Sequence, residues 1–396
     1  MWMNTKYRAG RRCYAGYTTK AAASAAASAS SSASFVRKEQ CRSAWTWLQR
    51  GRTKTAKREK LVPGTYVEMD DEWLIIDEHY EEHMRLKEYL LTSSHRPNVL
   101  CREEDVEMEE EETCVALEDG ERHALRHVLQ EMRGGSHVRV DEVDADGEPL
   151  IVERIIDGRR FNVSEFTSSG RALELCSLLA QEDFVLLRRA AAGAGAGGGA
   201  GAGDGSEEEE HIVCSACVCF SFGDLPKRIG LGLGAVHRAV DGYERHLSSP
   251  MNRLISSLRP GRRNRIARSN WDVKWSDSLV SHHLPEERGV EGDVADMYMK
   301  IEYQTLIRLD ETHTLFSIRS FNEALTSISN CKGAANNLAT NVRSIVYEEE
   351  HRAFTLYKEL GNAATYGNLL EFLDKVTQQE QEQERQEGEE ATEGVR

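Results

Sequence analysis

The residues best suited to chemistry lie in three short runs: Val236-His237-Arg238-Ala239-Val240-Asp241-Gly242-Tyr243-Glu244, then Arg268-Ser269-Asn270-Trp271, then Ile301-Glu302-Tyr303-Gln304-Thr305-Leu306. They set an imidazole, an indole and a carboxylate among apolar neighbours, which points to a buried polar site rather than a solvated surface. The plain alternatives are a core or strand-edge histidine with satisfied nitrogens, a core tryptophan and a glutamate on the exposed side of a strand.

Those runs need elements to position them. From Ile266 the pattern is β: a strand through Arg268–Trp271, then Met297–Leu309, in which Met299, Ile301, Tyr303 and Thr305 alternate with Lys300, Glu302 and Gln304. Leu315–Phe321 reads as the partner strand, with Asp310-Glu311-Thr312-His313 as the hairpin turn. This places Glu302, Gln304 and Leu306 on one side of the sheet. Tyr243–Leu258 reads as an amphipathic helix kinked or divided at Pro250, and Asn322–Asn337 and Val342–Leu373 as helices.

Upstream, Glu72–Asp77 leads into a helix at Tyr80–Leu91, and Val115–Met132 is helical. Val138–Val140, Leu150–Ile156 and Phe161–Val163 form a meander, and Arg171–Leu179 a short apolar helix. Glu103–Glu112 reads as a solvated acidic loop. His123 and His127, one helical turn apart, lack the third ligand a metal site requires. Gly230-Leu231-Gly232-Leu233-Gly234 lacks the strand and helix of a dinucleotide fingerprint and reads as a loop whose backbone approaches a ligand or a neighbouring strand.

The chain has 396 residues and a formal charge of −16, unevenly spread. Residues 1–60 carry 14 Lys/Arg against Glu39 and Glu59, so the remainder is strongly acidic and nucleic acid is not an expected ligand. The Arg-, Ser- and Ala-rich start, with the run Ala21–Ser34, reads as a transit peptide to a mitochondrion or plastid or as a disordered basic segment, the latter leaving the protein cytoplasmic. No apolar run reaches the roughly 18 residues of a membrane span. Ala190–Gly205 is a flexible insertion by composition, and Gln378–Arg396 a solvated, disordered Gln/Glu-rich tail.

Nine cysteines without a disulfide framework fit a reducing compartment. Cys214, Cys217 and Cys219 lie in an apolar strand and read as buried structural thiols, with Cys217 and Cys219 on one face and Cys214 on the other.

Several ordered motifs carry a resemblance. Glu72-Trp73-Leu74, Gln181-Glu182-Asp183-Phe184, Cys219-Phe220-Ser221-Phe222, Val236–Val240, Arg268–Trp271, Glu302–Leu306 and Phe316-Ser317-Ile318-Arg319 resemble, in that order, motifs of the heme-dependent oxidative N-demethylase-like family, over roughly residues 70 to 375. The chain departs from the family pattern at Ala239, where a proline is expected, at Gly223-Asp224, where a tryptophan is expected, and around Glu131–Gly135, which lacks a Tyr-Pro helix ending.

The resemblance implies an α+β fold with a PAS-like antiparallel sheet flanked by helices, spanning residues 61–375, and heme b held by a histidine. It implies demethylation of a dimethylamine-like small amine to give formaldehyde, with O2 and with electrons from a separate flavin and iron–sulfur reductase. His237 is then the expected axial ligand, with His211, His246 and His313 as rivals. Arg238 and Arg319 are expected at heme propionates, Trp271 as a pocket wall and Glu302 as the holder of a protonated amine. A non-catalytic heme sensor or carrier, or a scaffold without ligand, is the rival outcome.

Overall fold

The computed structural model describes residues 65–66, 73–106, 111–133, 137–189, 211–221, 225–238, 240, 243–261, 265–280, 293–348, 360 and 363–393. The expected N-terminal basic segment and the Ala190–Gly205 insertion lie outside these residues.

Ten strands run in chain order: β1 (Thr65–Tyr66), β2 (Leu100–Arg102), β3 (Val138–Val143), β4 (Pro149–Arg154), β5 (Arg159–Asn162), β6 (Asp183–Arg189), β7 (His211–Cys217), β8 (Arg265–Lys274), β9 (Tyr298–Arg308) and β10 (His313–Ala324). Seven form one antiparallel sheet in the order β1-β8-β9-β10-β6-β7-β2, and β3-β4-β5 form the expected meander. The helices are α1 (Tyr80–Thr92), α2 (Arg96–Val99), α3 (Glu111–Met132), α4 (Val163–Ser168), α5 (Ala172–Leu179), α6 (Leu233–Val236), α7 (Ser249–Ser257), α8 (Ala334–Tyr347) and α9 (Ala363–Glu393). The fold is therefore α+β.

The period-two alternation of β9 decides what each side of the large sheet holds. Its apolar set, Met299, Ile301 and Tyr303, packs with Trp271, Val273 and Phe321 beneath α8 and α9. On the same face, Phe184, Leu186 and Leu315 pack beneath α3 and α5. The opposite face carries Leu306, Ile266, Val185, Leu187 and Ala216 under Leu233, Ile255 and Leu258 from α6 and the α7 region. Each such side chain removed from water contributes about 1.5–3 kcal/mol, so both faces need their helical cover.

Pro250 does not divide the helical stretch but changes its winding. A π-helical turn at Glu244–Ser248 runs directly into α7, which has the proline in its first turn. Widening the preceding turn accommodates the ring and the missing N–H without ending the helix.

Four expectations change. Cys214, Cys217 and Cys219 all join the same apolar cluster, because β7 pairs Ser215 with Leu186 but Val213 with Leu187, leaving Cys214 as the extra residue of a bulge. The bulge moves the alternation by one place. Glu103 is not solvated: it is 2% exposed and receives Arg188 through both Nε and an Nη, at 3.0 and 2.8 Å. The C-terminal helices are bounded differently: Asn322–Asn337 is strand as far as Ala324 and a 3-10 stretch over Leu325–Asn330, with α8 starting only at Ala334, and Val342–Leu373 is not one helix, since α8 ends at Tyr347 and α9 begins at Ala363. The Gln/Glu-rich end is solvated, as expected, but remains helical to Glu393.

The glycine-rich loop behaves as a strand neighbour. Gly230 N donates to the Val213 carbonyl at 2.8 Å and Val213 N to the Leu231 carbonyl at 3.0 Å. Gly230 does this at φ 78°, a conformation that favours glycine.

Candidate functional site

His237 follows α6 directly. Leu233 and Val236 of that helix pack in the cluster containing Ile266 and Leu306, which sets the imidazole over the sheet face that carries Arg268 and Gln304. Its Nδ1 lies 2.8 Å from the Leu233 carbonyl, so Nδ1 carries the proton and donates it to the backbone. Nε2 has no partner among the described residues. The ring stacks on Tyr243, with centroids 4.2 Å apart and planes 8° from parallel.

Burial, reinforced by the positive charges of Arg268 and Arg228, lowers the His237 pKa to about 4, against the opposing pull of the Leu233 hydrogen bond. The imidazole is therefore neutral near pH 7, with one nitrogen oriented by a carbonyl and the other without a partner among the described residues. Ligating histidines use this arrangement.

Glu302 lies on the same face, two residues along β9 from Gln304. Cross-strand pairing sets Asn270 opposite Glu302 and Arg268 opposite Gln304. Arg268 Nε donates to Gln304 Oε1 at 2.5 Å, Gln304 Nε2 donates to Glu302 Oε2 at 2.8 Å, and Asn270 Nδ2 donates to the same oxygen at 3.2 Å. The other carboxylate oxygen lies 3.3 Å from Lys300 Nζ. Burial pushes the Glu302 carboxyl up, but Lys300 and the amides of Asn270 and Gln304 outweigh it and hold the group below the ordinary carboxylate range. It is a buried anion with a buried cation beside it.

Lys300 is fixed in turn by the Phe220 carbonyl, 3.1 Å from Nζ. That carbonyl belongs to a loop held by Asp183, whose carboxylate accepts the backbone N–H groups of Cys219, Phe220 and Ser221, each at 2.9 Å. The Gln181-Glu182-Asp183 run thus supports the site from beneath without entering it.

The structure brings His237 and Glu302 to one face and leaves the other expected residues elsewhere. Arg238 is solvent-exposed at the end of α6. Trp271 is 7% exposed on the opposite face of the sheet, within the cluster under α8 and α9. Arg319 is also on that opposite face, 1% exposed, and its guanidinium is spent on Asp77, on the Ile75 carbonyl at 3.0 Å and on the Ser320 carbonyl at 2.6 Å. Among the rival ligands, His313 is bound to Asp310 at 3.1 Å and His211 is fully buried in β7. His123 also meets Asp310, at 2.8 Å, and the described residues hold no group of three or more metal-ligating side chains.

Sequence reasoning did not select Arg268, Gln304, Lys300 or Asn270 as site residues. Their signal was nevertheless present: Lys300, Glu302 and Gln304 are three polar residues at every second position of an otherwise apolar strand. A strand buried on both sides has no reason to carry that set unless the groups answer one another.

Over residues 67–364 the chain matches the family described as haem-dependent oxidative N-demethylase, alpha subunit-like. The chain belongs to this family. No curated protein matches it in direct sequence comparison. The match begins at the run before α1 and ends at the start of α9, so it encloses the large sheet from β2 onward together with His237 and Glu302. No described helix is long and apolar enough to cross a membrane.

Proposed function

We propose that this chain binds heme b through His237 and serves as the catalytic subunit of an oxidative N-demethylase acting on a small, dimethylamine-like methylated amine. The observation that carries the reading is the state of His237: neutral, tautomer fixed by the Leu233 carbonyl, and Nε2 without a partner among the described residues. The donor chemistry fits a heme axial ligand. Family membership supports the same reading, because the family's description names heme, oxidative N-demethylation and an alpha subunit.

When bound, heme supplies the iron at which O2 is used, and the methyl carbon leaves as formaldehyde. The chain's own residues position and neutralise. His237 presents Nε2, while Tyr243 covers one face of the imidazole and restricts its rotation. Glu302 keeps a negative charge in a dry setting, where it can accept an N–H from a protonated amine at the oxygen it shares with Lys300. Asn270 and Gln304 fix the plane of that carboxylate. Electrons come from a separate flavin and iron–sulfur reductase, a role that the alpha-subunit description accommodates. A PAS-like arrangement of the sheet belongs to the same proposal.

The test is an absorption spectrum of hemin-reconstituted wild type beside His237→Ala, followed by reduction under O2 with dimethylamine present. A Soret band lost or shifted in the variant, and formaldehyde released by the wild type, are the expected results. Identical spectra would remove His237 from the iron. A His237-dependent spectrum without formaldehyde would leave a heme sensor or carrier.

A further inference from the structure

Arg268 is anchored at one end, and at the other it meets none of the described residues. Its Nε is held by Gln304 Oε1, which fixes the guanidinium against the sheet. Its two Nη groups find no partner among the described residues, and no described carboxylate lies within ion-pair distance. A half-buried arginine does not normally forgo such a partner, because its planar fork is built to take two oxygens at once.

The surroundings narrow what the fork would accept. The nearest acid along the network, Glu302, is already matched by Lys300 and two amides. The positive charge of Arg268 reaches His237, and Arg228 adds a second from the loop before α6. Two guanidinium charges thus act on the imidazole, and the Arg268 fork beside it is shaped for an anion with two coplanar oxygens. The two arginines expected at that task are unsuited by position: Arg238 faces solvent, and Arg319 is consumed on the other face.

We infer that Arg268 receives a carboxylate beside His237, either a propionate of the porphyrin or the acid group of an N-methylated amino acid. The first source rests on the proposed function. The second deepens it: a zwitterion would place its carboxylate on Arg268 and its ammonium toward Glu302, the two ends of the Arg268–Gln304–Glu302 relay. Gln304 sets the spacing between them.

Metal-free protoporphyrin IX and its dimethyl ester separate this contact from iron ligation, since neither can bond to His237 through a metal. Titration of the full chain, read by tryptophan quenching, is expected to favour the free diacid over the diester by roughly tenfold to a hundredfold, the range for a charge-assisted pair. Arg268→Gln removes that preference, Arg268→Lys keeps part of it, and His237→Ala keeps all of it. Melting curves of each variant establish that it is folded before titration, and Arg268→Lys carries the test if the glutamine variant is not.

The second arm compares N,N-dimethylglycine with dimethylamine by thermal shift on wild type and Arg268→Gln. Porphyrin preference intact in Arg268→Gln, with the N,N-dimethylglycine shift lost, assigns the site to a substrate acid. If the folded glutamine variant equals wild type in both arms, or wild type shows neither effect, the inference is overturned. A diacid preference that depends on Arg268, found alongside a hemin spectrum indifferent to His237, upholds this inference while refuting the axial-ligand reading.

Discussion

Gln304 stands opposite Arg268 on neighbouring strands, and its side-chain amide joins that guanidinium to Glu302, accepting from one and donating to the other. A single neutral amide thus holds a cation and an anion apart at fixed separation within a sheet. No other side chain of its length offers both a donor and an acceptor in one plane.

Replacing Gln304 with methionine keeps the volume and deletes both bonds. Glu302 then loses one of two amide donors, and Arg268 loses its anchor. We expect a loss of about 1–3 kcal/mol in urea unfolding, the cost of leaving buried polar groups unsatisfied. Hemin should still bind through His237, with an unchanged Soret position. A variant as stable as wild type would mean that the relay contributes nothing to the fold.

Arg319 makes the opposite prediction. With Asp77 as its ion-pair partner and 1% of its surface exposed, it fastens the segment around Ile75 to the sheet. Arg319→Met should cost about 3–5 kcal/mol, because Asp77 is left without its charge partner. The double variant Arg319→Met with Asp77→Leu should recover part of that loss. Porphyrin affinity measured at a temperature where the variant is folded should not change. A fall in affinity without a fall in stability would return Arg319 to the propionates.

Much of this architecture is readable from the residues. The β8–β9–β10 hairpins follow from strict alternation, and that alternation correctly set Glu302, Gln304 and Leu306 on one side. The same rule, applied to Trp271 and Arg319, would have placed both on the other side. What the alternation could not reveal was which face meets α6, since that helix and His237 belong to no strand of the sheet. Cys214 shows a second limit: one bulged residue moves a thiol from one face to the other, and nothing in a run of small apolar residues marks where a bulge will fall. The persistence of α9 to Glu393 was hidden by composition, as Gln and Glu favour a helix and a solvated coil alike.

The acid side of the stability profile should be set partly by His237 and His83. Burial lowers both from the ordinary 6.5, to about 4 and about 3 respectively. The unfolded chain therefore binds these protons first, and stability falls as pH drops from about 6.5 toward 4. His237→Gln should flatten the upper part of that decline in chemical denaturation at several pH values. A His237→Gln variant whose stability changes with pH as steeply as wild type between pH 6.5 and 4 would contradict the neutral state assigned to the ring.

Glu182 should impose the reverse slope at the upper end. It is 1% exposed; its Oε1 accepts the Ile75 N–H at 2.7 Å, and its Oε2 has no hydrogen-bond partner among the described residues. Burial outweighs the attraction of Arg319 and pushes the carboxyl above its ordinary 4.5. A raised carboxyl binds its proton more tightly folded than unfolded, so it opposes folding once the pH exceeds the unfolded value. Glu182→Gln keeps the acceptor for Ile75 and removes the ionisation. The variant should match wild type near pH 4 and become the more stable of the two as the pH rises toward 7. Denaturation of both chains at pH 4, 5.5 and 7 reads this directly. A glutamine variant that loses stability relative to wild type as the pH rises would show that Glu182 is instead ionised and paired with Arg319, whose charge would then serve two carboxylates rather than Asp77 alone.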